Sequence, residues 1–332
     1  MPGFNRRHFN RYLTNASLTS LLGTGMLANA APRNSSNASL MRLIVPFAPG
    51  GGGDVLGRLF ADKLSVELDR NIIVENKPGG STTIGTDFVA KSKPDGNTIL
   101  LTIPLLIQTY YLFKKLPYDP FTDLVPVVDL VKSPLWVAVS TQRTAATSIP
   151  ELIKDIKANP NKHMYGSIGN GSTSHLLGNH LNKSAQLDMV HVPYKGSSQV
   201  TLALMAGEIT STILDLVTLS PMLSTGKIRL VGVTGIERTP LTPDVPTLKE
   251  QGFSGFELPT WAGFFAPKGT PVDIIRKLHD ASIKIMNMPD VQPRFKELGY
   301  VAGGLSTADF QKQLVLEKSR WASLIKDSGI EV

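Results

Sequence analysis

The chain has no cysteine. That excludes disulfides, thiolate metal sites, a cysteine nucleophile and a lipidated cysteine anchor. Charge is sparse at 18% and aromatics at 7%, an ordinary globular composition without the bias of a disordered chain. The six histidines show no HExxH or comparable metal spacing. His175 and His180, five apart, suit one helix face poorly and read as surface or capping residues. A phosphate-binding P-loop is missing, because Gly50 to Gly53 run into Asp54, an acid that would repel phosphate. Gly169 and Gly171 begin a GxGxxG pattern that Ser174 breaks, and no GxSxG elbow occurs. Lysine and arginine are scattered, with Lys114-Lys115 among few adjacent pairs, which argues against a nucleic-acid partner. No cofactor and no metal are expected.

What the chain does have is length. Its 332 residues exceed what one hydrophobic core comfortably organises and suit two lobes. Its start has the layout of an export signal: Arg6, Arg7 and Arg11, an apolar stretch from Leu13 to Leu27, then Ala28-Asn29-Ala30. Arg6-Arg7-His8-Phe9 matches the core of a twin-arginine signal, although Asn10 stands where leucine is usual. The apolar stretch is broken by polar residues and is too short to span a bilayer. Cleavage near Ala30 and a soluble exported protein are the expectation.

From Met41 onward, short apolar runs alternate with loops and helical periodicity. Leu43 to Phe47, Ile72 to Val74 and Thr98 to Ile103 read as strands, and Asp54 is a plausible helix N-cap. Val125 to Ser140 reads as further strands, and Ser148-Ile149-Pro150-Glu151 as a capping box. Strands follow at Met164–Ile168, Met189–Val192, Ile209–Leu214 and Ile228–Val233. Thr270 and Ser306 open the terminal helices, which have no strand between the last two. Strand–helix alternation predicts an α/β fold of two lobes, each a mainly parallel sheet flanked by helices, with a cleft between them. One lobe is expected at 31–138 plus 258–332 and the other at 139–257, with two chain crossings as the hinge.

Three loops share one design, in which a strand ends, a glycine- and hydroxyl-rich loop turns and a helix begins. They are Pro49 to Asp54, Pro78 to Gly85 and Gly169 to Ser174. In open sheets ligands bind beyond the strands' carboxyl ends, and helix N-termini with nearby glycine suit a small anion. None of the three loops contains Lys or Arg, so recognition would rest on backbone N–H groups and hydroxyls. Two other readings stand beside this one: a ligand-presenting sensor of the same fold, and a secreted hydrolase using Ser172 or Ser174.

The run IVPFAPGGGGDVLGRLFADKLSVEL, followed by VENKPGGSTTIGTDFVAKSKPDGNTIL, resembles the substrate-binding proteins of tripartite tricarboxylate transporters, the Bug family. KKLPYDPFTDLVPV, YGSIGNGSTSHLLG, HVPYKGSSQ, LMAGEI, TPDVPTLKEQGF and FFAPKGTP continue the same pattern in the same order, over about residues 41–330. The resemblance implies a type II-like periplasmic-binding-protein fold and a non-enzymatic monomer that binds a di- or tricarboxylic, amino or aromatic acid. It also implies membrane permease subunits as partners. It places Phe47, Pro49, Gly50, Gly51 and Asp54 in a first cleft loop, and Gly80, Ser81, Thr82, Thr83 and Gly85 in a second. Pro104 follows the third strand. Asn170, Gly171, Ser172, Thr173, Ser174 and His175 form the loop whose helix start holds a carboxylate, with Tyr194 and Asp215 near the cleft. Gly53, where the family often has a hydroxyl residue, the Ser81–Thr83 hydroxyls and the apolar IPLLIQTYYLF segment depart from the family pattern where the far end of a ligand would be read.

Overall fold

The computed structural model describes residues 40–257 and 260–330. The expected export segment, with its twin-arginine motif and cleavage site, lies outside the described residues.

Among the described residues, eleven strands form two sheets. The first has the order β11-β4-β10-β3-β1-β2 and the second β7-β6-β8-β5-β9. In the first, β1 (Met41–Val45) pairs parallel with β2 (Ile72–Asn76) and β3 (Thr98–Thr102). Then β10 (Thr260–Pro267) lies antiparallel to β3 and to β4 (Leu124–Ser133), and β11 (Val301–Ala302) antiparallel to β4. In the second, β6 (Met164–Ser167) is parallel to β7 (Val190–Pro193) and β8 (Ser211–Leu214). β5 (Trp136–Ser140) is antiparallel to β8 and to β9 (Ile228–Val233).

Both sheets are therefore mixed rather than mainly parallel. The cause is the double crossing: β4 runs out of the first sheet and β10 runs back into it, so the neighbours must be antiparallel. The crossings lie side by side, with Thr260 opposite Ser133 in register and Thr260 Oγ1 donating to the Ser133 carbonyl at 3.0 Å. The second sheet is entered at Trp136, ahead of the boundary after 138 that the sequence suggested.

Alternate strand residues face two different cores. Leu43, Leu101 and Phe264 pack with Phe60 and Phe295 beneath α1 (Gly52–Glu67), α8 (Val272–Met286) and α9 (Val291–Glu297). Ile44, Leu100 and Phe265 face Phe310 and Trp321 of α10 (Thr307–Ser328), beside α2 (Thr83–Ala90) and α3 (Leu105–Leu112). The second sheet is likewise covered on both faces. Val137, Val139 and Ile213 pack towards α4 (Ile149–Ala158) and α5 (Thr173–Ala185). Trp136, Ala138 and Leu214 pack towards α6 (Ser197–Met205) and α7 (Leu216–Leu223). Burial on both faces explains why these strands read as continuous apolar runs rather than alternating ones.

Local signals fare unevenly. Ser148 and Ser306 do cap their helices, accepting from the N–H of Glu151 and Asp309. Thr270 does not, because its hydroxyl donates to the Pro267 carbonyl and Pro271 stands at the N-cap. Asp54 is not an N-cap either; Gly51 is. The two-residue β11 separates the last two helices.

Candidate functional site

A cavity of about 90 Å³ lies between the sheets, at the meeting of both lobes. Its first-lobe wall comes from Phe47, Gly51, Gly52, Gly53, Ile103, Pro104, Val131, Trp261 and Tyr300. Its second-lobe wall comes from Leu135, Ile168, Thr173, Ser174, Ser197, Ile213, Leu214 and Asp215, and the hinge residues Ser133 and Thr260 close one side. The lobes are shut around it. Gln108 Nε2 donates to Thr173 Oγ1 at 2.7 Å, Ser81 Oγ to the Asn170 carbonyl at 2.8 Å, and Ser198 Oγ to the Pro49 carbonyl at 3.2 Å.

The first loop delivers the N-terminus of α1 to this cavity. Asp54 and Val55 return their N–H groups to the Gly51 carbonyl at 3.0 Å, and the first-turn N–H groups of Gly52 and Gly53 have no intrahelical partner. Glycine is needed here for close approach: a Cβ on Gly51 would sit 2.7 Å from Ser197 Oγ, and one on Gly52 2.8 Å from Asp215 Oδ1. Asp54 does not line the cavity. It works behind the loop, accepting from Gly50 N at 2.9 Å, Asn76 Nδ2 at 2.9 Å and Arg58 Nε at 3.0 Å. Burial pushes its pKa up, but these donors and the Arg58 charge outweigh burial and hold it below the ordinary range. Pro49 and Gly50 likewise sit at the lobe contact rather than in the wall.

The third loop delivers the N-terminus of α5. Ser172 is the N-cap, accepting from His175 N at 3.3 Å and donating to the Gly169 carbonyl at 2.7 Å. Ser174 Oγ accepts from Ile168 N at 3.1 Å. His175 is neither a surface residue nor a cap. Its Nδ1 accepts from Gly171 N at 3.0 Å, and its ring stacks on His191 with centroids 3.5 Å apart and planes 5° apart. Burial lowers both imidazoles, His175 to about 3 with the neighbouring His191 adding to it, and His191 to about 4. Both are therefore neutral near pH 7, which the Gly171 bond requires. Because the His175 ring is committed to Gly171 and His191, it is not placed as a general base for Ser172 or Ser174. Gly171 is in the left-handed region at φ +71°, and a side chain there would run into Leu112 of the opposite lobe.

The second loop stays out of the cavity wall. Gly80, Ser81 and Thr82 all adopt positive φ, at 54°, 51° and 78°, which turns the segment toward the other lobe's Asn170. Thr83 opens α2, and Gly85 packs against Pro46 and the Lys77 carbonyl. Tyr194 also lies behind the wall, with its ring against Gly166 and its N–H bonded to the Ser167 carbonyl. Of the residues singled out from sequence, the cavity thus gathers Phe47, Gly51, Pro104, Thr173, Ser174 and Asp215.

Sequence reasoning missed the apolar strand ends, the α6 residue Ser197, and Trp261 and Tyr300. Trp261 turns its indole Nε1 away to Glu317 on α10 at 2.8 Å, which leaves the ring as wall. The N-termini of α1, α5 and α6 converge here, beside those of α3 and α7, which follow Pro104 and Asp215, and among the described residues the lining contains no Lys, Arg or His.

Residues 56–330 match the model of the tripartite tricarboxylate transporter family receptor. The chain is similar to protein BugT of Bordetella pertussis, 30% identical over 94% of this chain and 96% of BugT. It is similar in structure to Rpa4515 of R. palustris with adipate, at TM-score 0.84 and 32% identity over 88% of this chain and 98% of that one. MatC of Rhodopseudomonas palustris with bound malate gives TM-score 0.81 and 29% identity over 86% of this chain and 98% of that one. A family match spanning most of the chain, with relatives of the same two-lobed fold, places this protein in the tripartite tricarboxylate transporter receptor family, among the Bug proteins.

Proposed function

We propose that the protein is an exported periplasmic receptor, active as a monomer. It captures a small carboxylate between its lobes and presents it to the membrane subunits of a transporter. The observation that carries this reading is the convergence of the α1, α5 and α6 N-termini, from both lobes, on one cavity whose described lining has no Lys or Arg. Each N-terminus offers unpaired N–H groups and about half a positive charge, which suits a carboxylate held by backbone and hydroxyl donors. Binding of adipate and malate by the similar proteins supports the same class. The apolar wall, from Phe47 and Ile103 to Ile213 and Trp261, favours a ligand with an apolar body.

Thermal denaturation against a panel of mono- and dicarboxylates tests the reading. A ligand at about 100 times its Kd adds about 2.7 kcal/mol of apparent stability. Stabilisation by a carboxylate and not by its methyl ester is the expected result. A panel in which no carboxylate raises the midpoint, or in which esters do as well, would overturn it.

A further inference from the structure

We propose that the ligand carries a cationic amine beside its carboxylate, and that Asp215 is the residue that selects it. The inference rests on the reading of the cavity as a carboxylate site and deepens it.

Asp215 sits between β8 and α7 and borders the cavity from the second lobe. Its carboxyl lies against the first lobe's Gly52, where a Cβ would be 2.8–3.1 Å from all three carboxyl atoms. It is therefore at the seam, in position to touch any ligand enclosed there. Among the described residues it is the one acid in the lining, and none of them supplies a lysine, arginine or histidine to face it. Its protein partners are neutral N–H groups at the start of α7, chiefly Thr218 N at 3.4 Å. Burial pushes its pKa up, and burial together with the Asp215 charge pushes the neighbouring Tyr300 phenol well above the ordinary tyrosine range. Burial thus disfavours a bare Asp215 charge, and a cation brought beside the carboxyl would restore its ionised form.

A bare carboxylate ligand would bring a second negative charge into the same small space, and two carboxylates in one low-dielectric site oppose each other. An amino acid resolves the conflict. Its carboxylate goes to the N–H donors of the helix starts, and its ammonium goes to Asp215. The competing explanation is that Asp215 only caps α7. Capping does not use the charge, because asparagine caps about as well. The apolar walls assign the side chain, so the expected class is α-amino acids with aliphatic or aromatic side chains.

The test is calorimetric titration of matched pairs, each apolar amino acid from alanine to phenylalanine against its des-amino acid and its N-acetyl derivative. The full-length mature protein should bind at least one amino acid about tenfold or more tightly than both counterparts. Asp215→Asn, which keeps the cap, should shrink that preference to about threefold or less without lowering the thermal midpoint. Equal binding of an amino acid and its des-amino partner by the wild-type protein would overturn the inference, as would a preference that survives in Asp215→Asn. The wild-type comparison decides even if the variant does not fold. A dicarboxylate that binds well without any amine preference overturns the amine alone, and binding of no carboxylate at all overturns the underlying reading too.

Discussion

Gln108 and Thr173 belong to opposite lobes and are joined by a 2.7 Å hydrogen bond between Nε2 and Oγ1, with both side chains buried. Thr173 is also the first residue of α5 and part of the cavity wall. Closure and ligand enclosure thus share a residue. Gln108→Leu should weaken ligand affinity by about fivefold, the equivalent of one net hydrogen bond of about 1 kcal/mol. Calorimetry reads the affinity, and small-angle scattering reads closure as a smaller radius of gyration with ligand. Unchanged affinity would mean that the bond forms without favouring the closed state.

Gly52 makes a sharper test, because its cost falls across the lobes. It is the first residue of α1 and has no positive φ, so alanine suits its backbone. The added methyl would meet the Asp215 carboxyl at 2.8 Å. Gly52→Ala should leave the unliganded thermal midpoint unchanged or raise it, since alanine is the better helix former. Affinity should fall by about ten- to a hundredfold, in line with an overpacking cost of about 1–3 kcal/mol. A parallel loss of unliganded stability would show that the lobes are already locked together without ligand.

The stacked imidazoles predict acid sensitivity above the carboxylate range. His175 and His191 have folded-state pKa values lowered from 6.5 to about 3 and about 4. Between those values and 6.5 the unfolded chain binds protons that the native state refuses. Their contribution is therefore complete above pH 6.5 and is lost as pH falls towards 4. Discounted for solvent screening, the pair should cost about 1 kcal/mol per pH unit in that window. Asp215 and Glu317, raised by burial, act in the opposite sense. The histidine share is therefore read as the difference in denaturant midpoints between wild type and His191→Phe at pH 7 and pH 5. Parallel pH slopes for the two proteins would contradict the assignment.

Much of this site was legible in sequence because its donors sit on loops with a local signature. Gly51 to Gly53 and Ser172 to Ser174 announce themselves as strand-to-helix turns rich in glycine and hydroxyls, and both deliver helix N-termini to the cavity. Pro78 to Gly85 has the same composition but runs through four consecutive positive-φ residues, Gly79 to Thr82, a backbone path that composition does not encode. The apolar wall was illegible for a different reason. Val131, Ile168 and Ile213 read as core, and only the pairing of the strands decides which of them border the cleft. Strand direction is equally absent from periodicity, which is why a parallel sheet was expected where the returning β10 makes a mixed one. Tyr300 reaches the cavity through the turn after α9, at Gly299 with φ +78°, far in sequence from the loops that the sequence singled out.

The last prediction separates two serines two residues apart. Ser172 is fully buried and spends its hydroxyl on the helix, accepting from His175 N and donating to the Gly169 carbonyl. Ser174 borders the cavity and holds Ile168 N at 3.1 Å, 3.1 Å from Ser172 Oγ. Ser172→Ala should therefore cost about 1 kcal/mol of stability as a lost cap, lowering affinity through looser loop geometry alone. Ser174→Ala removes a hydroxyl from a residue of the cavity wall. It should weaken carboxylate binding by about ten- to a hundredfold, the worth of one hydrogen bond to a charged group. Its stability cost should be of order 1 kcal/mol, from the Ile168 N–H that loses its acceptor. Gly171→Val is not a substitute for this test, because φ +71° and the side chain of Leu112 would already exclude a branched residue whatever the ligand does. Denaturant unfolding of the unliganded variants, paired with calorimetry on the same samples, reads the two effects apart. If Ser172→Ala loses affinity while keeping stability, or Ser174→Ala keeps full affinity, the carboxylate is held elsewhere in the cavity, with the N-termini of α1 and α6 as the remaining donors.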